Sequence, residues 1–227
     1  QIDKIIWVDD ACGFPIAVNK GIEAAKGKYI VLLNNDTVLL DQKTNSWLEI
    51  LREPFLKDPS VGITGPMLTM NVPGVNRIFL IFFCAMISRE VIQKIGLLDE
   101  SFSPGFGEDC DFCWRAEDAG YKLIQVPDNS SFEPSANFRV GSFPIYHKGN
   151  LTFKEAGKSV SEAFTRNLAR LKEMYGADLD KAMSLDGYMP IAELHWLARA
   201  AQKHNKILEI GSWHGKSTRA LADNTSG

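Results

Sequence analysis

The sequence predicts an α/β fold, a sandwich of helices against a mostly parallel sheet. Three observations predict it. Short apolar runs alternate with helix-period segments along most of the chain. The run Tyr29 to Leu33 is apolar throughout, which suits a strand buried on both faces. Helix-period segments stop at glycines, at Gly27, Gly96 and Gly120.

Taken in order, Ile5 to Val8 reads as a short strand. Pro15 to Lys26 reads as a helix with Pro in its first turn. The strand Tyr29 to Leu33 ends in the polar cluster Asn34-Asn35-Asp36-Thr37. Trp47, Leu48, Leu51 and Phe55 mark a helix face that Pro54 is expected to interrupt. Val61 to Thr64 and Arg77 to Ile87 read as strands. Ser88 to Ile95 is a short helix with Ser88 as N-cap and Gly96 behind it. Asp109 to Ala119 is a helix, and Tyr121 to Val126 a strand ended by Pro127. Ser161 to Tyr175 is a helix whose Phe164, Leu168, Leu171 and Tyr175 share one face. A weakly patterned stretch, 177–190, suits a linker. Beyond it come a helix at Ile191 to Gln202, a strand at Lys206 to Ile210, a loop to Gly215 and a helix start at Lys216 to Ala222.

Composition removes several function classes. A formal charge of -3 gives no basic footprint for nucleic acid. The longest apolar stretch, Ile78 to Ile87, is about half the roughly 18 residues of a membrane span. A buried strand explains it better, so a chain without a transmembrane segment is expected. Cys110 and Cys113 form a C-x-x-C, but no second cysteine pair at zinc spacing accompanies them. They read as small apolar residues on one face of a helix start, reduced as in an intracellular protein.

Two acidic constellations carry chemistry. Asn34-Asn35-Asp36 follows a buried strand, and parallel sheets bind ligands at carboxyl ends of strands. A diphosphate leaving group needs its charge neutralised, and a carboxylate-held divalent cation does this. Turn-forming tendency explains the same residues. Further on, Glu108, Asp109 and Asp111 open a helix. The helix dipole favours acids there, and a carboxylate at that place can also serve as a base toward an acceptor hydroxyl.

The stretch Gly13 to Thr37 resembles family 2 glycosyltransferases of the GT-A fold, the nucleotide-diphospho-sugar transferase-like sandwich. Their pattern is GF-x-x-A-x-N-x-G, then A-x-G, an apolar strand and a D-x-D-like triplet. Gly13-Phe14, Ala17, Asn19, Gly21, Ala25 and Gly27 match it, and Asn34 stands for the first Asp of the triplet. The resemblance implies that Asp36 ligates a metal, Mg2+ or Mn2+, and that Asn19, Gly21 and Asn35 contact substrate. The segment Glu108-Asp109-Cys110-Asp111-Phe112-Cys113-Trp114-Arg115 is similar to the family's E-D-x-D-x-x-x-R, with Ala119-Gly120-Tyr121 and Val126-Pro127 following as they do there. It assigns the base to Asp109 and an acceptor or metal-side contact to Glu108. Asp111 and Arg115 would be structural or lie beside phosphate. His147-Lys148-Gly149 stands where a family histidine often completes the metal site.

The resemblance spans roughly Cys12 to Gly176. Family members begin with two strands ending near Asp residues that hold the nucleobase, and no such pair precedes Ile5. The expectation is therefore a glycosyltransferase domain over 1–176 that lacks its N-terminal strands and nucleobase half. Its partners would be a UDP- or dTDP-type sugar donor and a glycan, lipid-linked or small-molecule acceptor. It would be cytoplasmic, with the cytoplasmic face of a membrane as the alternative.

The segment Ile207 to Thr218 is a strand, glycine loop and helix start. Gly211 and Gly215 enclose three residues, one fewer than a P-loop needs. It resembles motif I of class I S-adenosylmethionine-dependent methyltransferases. That implies a partial Rossmann-like unit over 191–227 after the 177–190 linker, with Glu209, Gly211 and Gly215 toward the cofactor. Three functions therefore compete: an inverting, metal-dependent glycosyltransferase, a methyltransferase as the main activity of a bifunctional chain, and a non-catalytic sugar-binding module.

Overall fold

A computed structural model describes residues 12–69, 72–75, 77–127, 142–148 and 160–226. The expected strand Ile5 to Val8 and Gly149 lie outside the described residues. The described chain divides into two compact units. One takes the residues up to Thr69 and from Ile78 to Asn167; the other takes those from 72 to 77 and from Leu168 onward.

The first unit begins with helix α1, Phe14–Ala24, and strand β1, Tyr29–Leu33. Strand β2, Thr37–Leu39, helix α2, Ser46–Lys57, and strand β3, Val61–Gly65, follow. A hairpin of β4, Leu68–Thr69, and β5, Phe79–Leu80, leads to β6, Cys84–Ser88. Helix α3, Arg89–Ile95, a 3-10 turn at Glu100–Phe102, and helix α4, Glu108–Asp118, come next. Strands β7, Lys122–Gln125, and β8, Ile145–His147, and helix α5, Val160–Tyr175, whose residues from Leu168 on belong to the second unit, complete the series.

The main sheet has the order β1-β6-β3-β7. It is mixed, which corrects the expected mostly parallel sheet. Strand β6 runs antiparallel to both β1 and β3, and only β3 and β7 are parallel. The reason lies in the connections. Parallel neighbours need a crossover, usually helical. Helices α3 and α4 follow β6 and let β7 arrive parallel to β3. Between Gly65 and Cys84 the described residues contain only the short hairpin, so β6 returns antiparallel.

Three local expectations also change. The stretch Arg77 to Ile87 is two strands with a turn at Phe82-Phe83. Helix α2 continues through Pro54 to Lys57. Proline removes one helical donor, but Leu51 is fully buried and its carbonyl accepts the Thr64 hydroxyl at 2.7 Å. Tertiary packing thus outweighs the break. Helix α5 buries Ala163, Asn167, Leu171 and Tyr175, an i, i+4 row, while Phe164 is 46% exposed. Local caps agree with the sequence: the Ser88 hydroxyl accepts from Val91 N, and Gly96 and Gly120 have φ of 83° and 91°.

The core joins Leu51 of α2 to Cys84 and Met86 of β6, with Phe83, Val126, Phe143 and Ile145. Helix α4 is anchored beside the sheet by Phe112 and Trp114, both fully buried. Their rings meet Phe82 and Phe79 edge-on, with centroids 5.8 and 6.3 Å apart. The Trp114 indole N–H donates to Ile78 O at 2.8 Å. These contacts hold the N-terminus of α4 in place.

The second unit is helical among its described residues. Helices α6, Asp180–Met183, α7, Ile191–Ala201, and α8, Lys216–Ala222, pack through Leu179, Ala182, Leu194, Ala198 and Ala220. The stretch expected as a linker therefore carries α6 and two residues of this small core. Lys206 to Ile210 forms no strand, against expectation. Among the described residues no strand pairs with it, and Leu208 and Ile210 are 86% and 90% exposed. A strand needs a neighbour to satisfy its backbone groups. No helix among the described residues is long and apolar enough to cross a membrane.

Candidate active site

The first candidate group sits where β1 ends. The turn Asn34 to Asp36 leads into β2, and β2 pairs antiparallel with β8 in a register that sets Thr37 opposite His147. That pairing brings Asp36 and His147 together across 111 residues of chain, with His147 Nε2 3.0 Å from Asp36 Oδ1. Asp36 is buried. Lys148 N donates to Asp36 O at 2.9 Å, and the Thr37 hydroxyl closes the turn on Asn34 O at 2.6 Å. Burial holds the His147 imidazole below its ordinary value, while the charge and hydrogen bond of Asp36 pull the other way. A neutral imidazole is the form that ligates metal.

Among the described residues no group of three His, Cys, Asp or Glu side chains forms a metal cage. Two donors suffice for a cation that also takes substrate phosphates, as Mg2+ commonly does. Adjacent ligands on an octahedral ion with bonds of ~2.1 Å lie about 3 Å apart. The Asp36–His147 separation of 3.0 Å fits that spacing.

The second group opens α4. Glu108 is 6% exposed, and its Oε2 has no hydrogen-bond partner among the described residues. Burial, then the charge of Asp109, raises its carboxyl well above the usual range. Asp109 is part-buried and accepts Cys110 N at 2.9 Å. Burial raises its carboxyl to about 6, against hydrogen bonds that favour the charged form. Neighbouring acids with such shifts mark a candidate acid–base site.

One dipeptide touches both α4 and the Asp36–His147 pair, and nothing in the sequence singled it out. The Phe82 ring meets Phe112 of α4 edge-on, with centroids 5.8 Å apart. The next ring, Phe83, stacks on the His147 imidazole with centroids 4.4 Å apart and planes 7° from parallel. Phe83 O accepts Asn34 N at 2.8 Å. Phe82 and Phe83 look like ordinary members of an apolar run. Only their place in the turn before β6 reveals the role.

The other expected site residues divide. Asn35 is exposed beside Asp36, and Gly21 is exposed on α1. Asn19 is buried, and its amide is used internally: Nδ2 donates to Leu98 O and Glu100 Oε1, and Oδ1 accepts Leu98 N. It joins α1 to the segment before α4. Asp111 is 1% exposed and pairs with Arg115, which also donates to Ile95 O and Leu97 O. That pair fastens α4 to the end of α3. Cys110 and Cys113 are buried free thiols. In the second unit the Glu209 carboxylate accepts the hydroxyls of Ser217 and Thr218. Gly211 and Gly215 have φ of 86° and 82°, and Gly215 is the N-cap of α8. This is a tight turn without the strand that a cofactor loop would need.

Gly13 is fixed by its surroundings. Its φ is +96°, and a Cβ there would lie 2.3 Å from Ser103 Oγ and 2.6 Å from Pro104 Cα. Gly13→Ala is expected to destabilise the chain by about 2–4 kcal/mol, from strain and overlap together. Chemical denaturation of both proteins measures it.

No family model matches the chain. Over 56 residues it is 38% identical to a galactofuranosyl glycosyltransferase of Leishmania donovani, a match that covers 24% of this chain and 13% of that protein. The chain is thus similar to a short part of that relative. A solved mannosyltransferase of Pyrobaculum calidifontis, in complex with GDP-Man and Mn2+, superposes with a TM-score of 0.40 at 15% identity. The superposition covers 93% of this chain and 65% of that one.

Proposed function

We propose that the first unit carries the metal and base residues of a glycosyltransferase that moves a sugar from a nucleotide-diphosphate donor to an acceptor hydroxyl, with inversion. The observation that carries this reading is the Phe82-Phe83 connection. The dipeptide touches both α4, whose first turn carries Glu108 and Asp109, and an Asp–His pair spaced for a cation. The partial likeness to a glycosyltransferase supports the same class of reaction.

Asp36 and His147 would hold Mg2+ or Mn2+, which when bound neutralises charge on the diphosphate. Asp109 accepts the proton of the acceptor hydroxyl as its oxygen bonds to the anomeric carbon. The bond from that carbon to the diphosphate oxygen breaks, and the nucleoside diphosphate departs with the electron pair. A carboxyl raised to about 6 is ionised at neutral pH yet more basic than an exposed Asp. Glu108, buried with an oxygen that has no hydrogen-bond partner among the described residues, is the candidate partner for a sugar hydroxyl.

The test is calorimetry and labelled-sugar transfer with UDP-, dTDP- and GDP-sugars, on the full-length protein, with and without Mn2+. Binding and transfer that both require the cation are expected. Neither binding nor donor hydrolysis under any of these conditions would overturn the reading.

A further inference from the structure

We propose that Arg166 and Asn167 form a carbonyl clamp that positions the Glu108–Asp109 pair, so that Asn167 is a positioning residue for the transfer reaction. The inference rests on the glycosyl-transfer reading above.

Asn167 is 1% exposed, a polar side chain in the buried row of α5. Its Nδ2 lies 2.7 Å from Phe102 O, 2.8 Å from Gly105 O and 2.8 Å from Phe106 O. An amide nitrogen has two protons, so the three carbonyls share them. Its Oδ1 accepts Arg166 Nε at 3.0 Å, which fixes the way the amide faces. A second nitrogen of Arg166 donates to Ser103 O. The remaining carbonyl of the loop, Pro104 O, accepts Phe14 N at 2.8 Å. Every carbonyl from Phe102 to Phe106 thus has a named donor, and two consecutive side chains of α5 supply most of them.

What this loop delivers is the start of α4. Phe106 has φ of 73°, a left-handed conformation that a bulky residue rarely adopts. Such a residue costs on the order of 1–3 kcal/mol and persists only where its surroundings over-determine it. Here the clamp holds its carbonyl, and its ring meets Phe164 edge-on at 5.9 Å. Gly107 follows at φ of 100° as the N-cap, and Glu108 and Asp109 come immediately after. The peptide geometry from Phe106 onward therefore sets where both carboxyls point. A buried amide that serves three carbonyls is costly to lose: Phe102 O keeps Gly105 N as a donor, but Gly105 O and Phe106 O would lose the Asn167 donor, the kind of loss that leaves buried polar groups unsatisfied.

A purely structural Asn would affect stability, donor binding and turnover together. A positioning Asn costs stability too, but it lowers turnover while donor binding is kept, because a displacement near 1 Å costs about 10²-fold in rate. The experiment is Asn167→Ala in the full chain, with Leu51→Ala as a core control. Transfer kinetics, nucleoside-diphosphate affinity with Mn2+, thermal midpoint and amide hydrogen exchange are measured. The expected result is kcat down about 10²-fold, with donor KM and diphosphate affinity within about twofold, and faster exchange confined to residues 103–110. Leu51→Ala should lower the thermal midpoint without this split. If Asn167→Ala does not fold, Arg166→Ala replaces it, with a loss of about tenfold expected on the same split. An unchanged kcat, or a fall in kcat matched by diphosphate affinity and by the core control, overturns the clamp. If the wild-type chain transfers no sugar, the glycosyl-transfer reading fails by itself. Exchange then decides the clamp, and no selective change at 103–110 overturns it.

Discussion

Asp109→Asn is expected to lower turnover by about 10³-fold, within the range that a positioned base contributes. Nucleoside-diphosphate affinity should remain within about twofold, since in the proposed reaction the side chain faces the acceptor hydroxyl and not the diphosphate. The amide is nearly isosteric and can still accept the Cys110 N–H with its oxygen, so the fold should survive. The pH profile is the sharper test. Burial raises the Asp109 carboxyl to about 6. The base acts only when ionised, so kcat/KM should fall as pH drops through about 6 and level off above it. Stability carries the opposite sign. The folded value lies above the ordinary 3.8, so the unfolded chain ionises first. The neutral carboxyl therefore favours the fold at low pH, and that advantage is lost as pH rises from near 4 through about 6. Asp109→Asn should remove both the rate limb and this part of the stability profile. Full turnover by the variant would exclude Asp109 as the base.

Asp36→Asn and His147→Ala are each expected to weaken Mn2+-dependent binding of a nucleoside diphosphate by at least about 10²-fold, the scale of disturbance at a metal site. Turnover should fall in parallel. The more telling measurement is the double variant. If both side chains ligate one ion, removing the second after the first costs little more, and the losses are non-additive. Two independent sites would give additive losses. A double variant with the wild-type cation requirement would show that the 3.0 Å contact is only a hydrogen bond. His147→Ala also removes the ring stacked on Phe83. His147→Phe keeps that stack without the ligand nitrogen, and should be as defective in cation-dependent binding.

Much of the fold was legible because its signals are local. The Ser88 cap, the stops at Gly96 and Gly120 and the strand Tyr29–Leu33 each depend on a few neighbouring residues. The candidate site was legible as separate pieces. Asp36, Asp109 and His147 all stood out, though turn preference and the helix dipole explain two of them equally well. Asn19, Asp111 and Arg115 stood out too, and their side chains hold the framework around α4. A sequence pattern cannot separate a residue that touches substrate from one that fixes its neighbours, because both need the same donors and acceptors.

What the sequence by itself determined is the order of short elements, their ends and the identity of the acidic clusters. Tertiary structure alone decided the direction of β6, the passage of α2 through Pro54 and the absence of a strand at Lys206 to Ile210. It also decided that Asn167 is buried and that Phe82-Phe83 touches both α4 and His147. The physical reason is the range of the interactions. Caps and helix periods are fixed within a turn or two of chain. Strand pairing, and the partners of a buried amide, depend on groups many residues away. Asp36 meets His147 only because β2 and β8 pair in one register, and no local signal at either residue specifies that pairing.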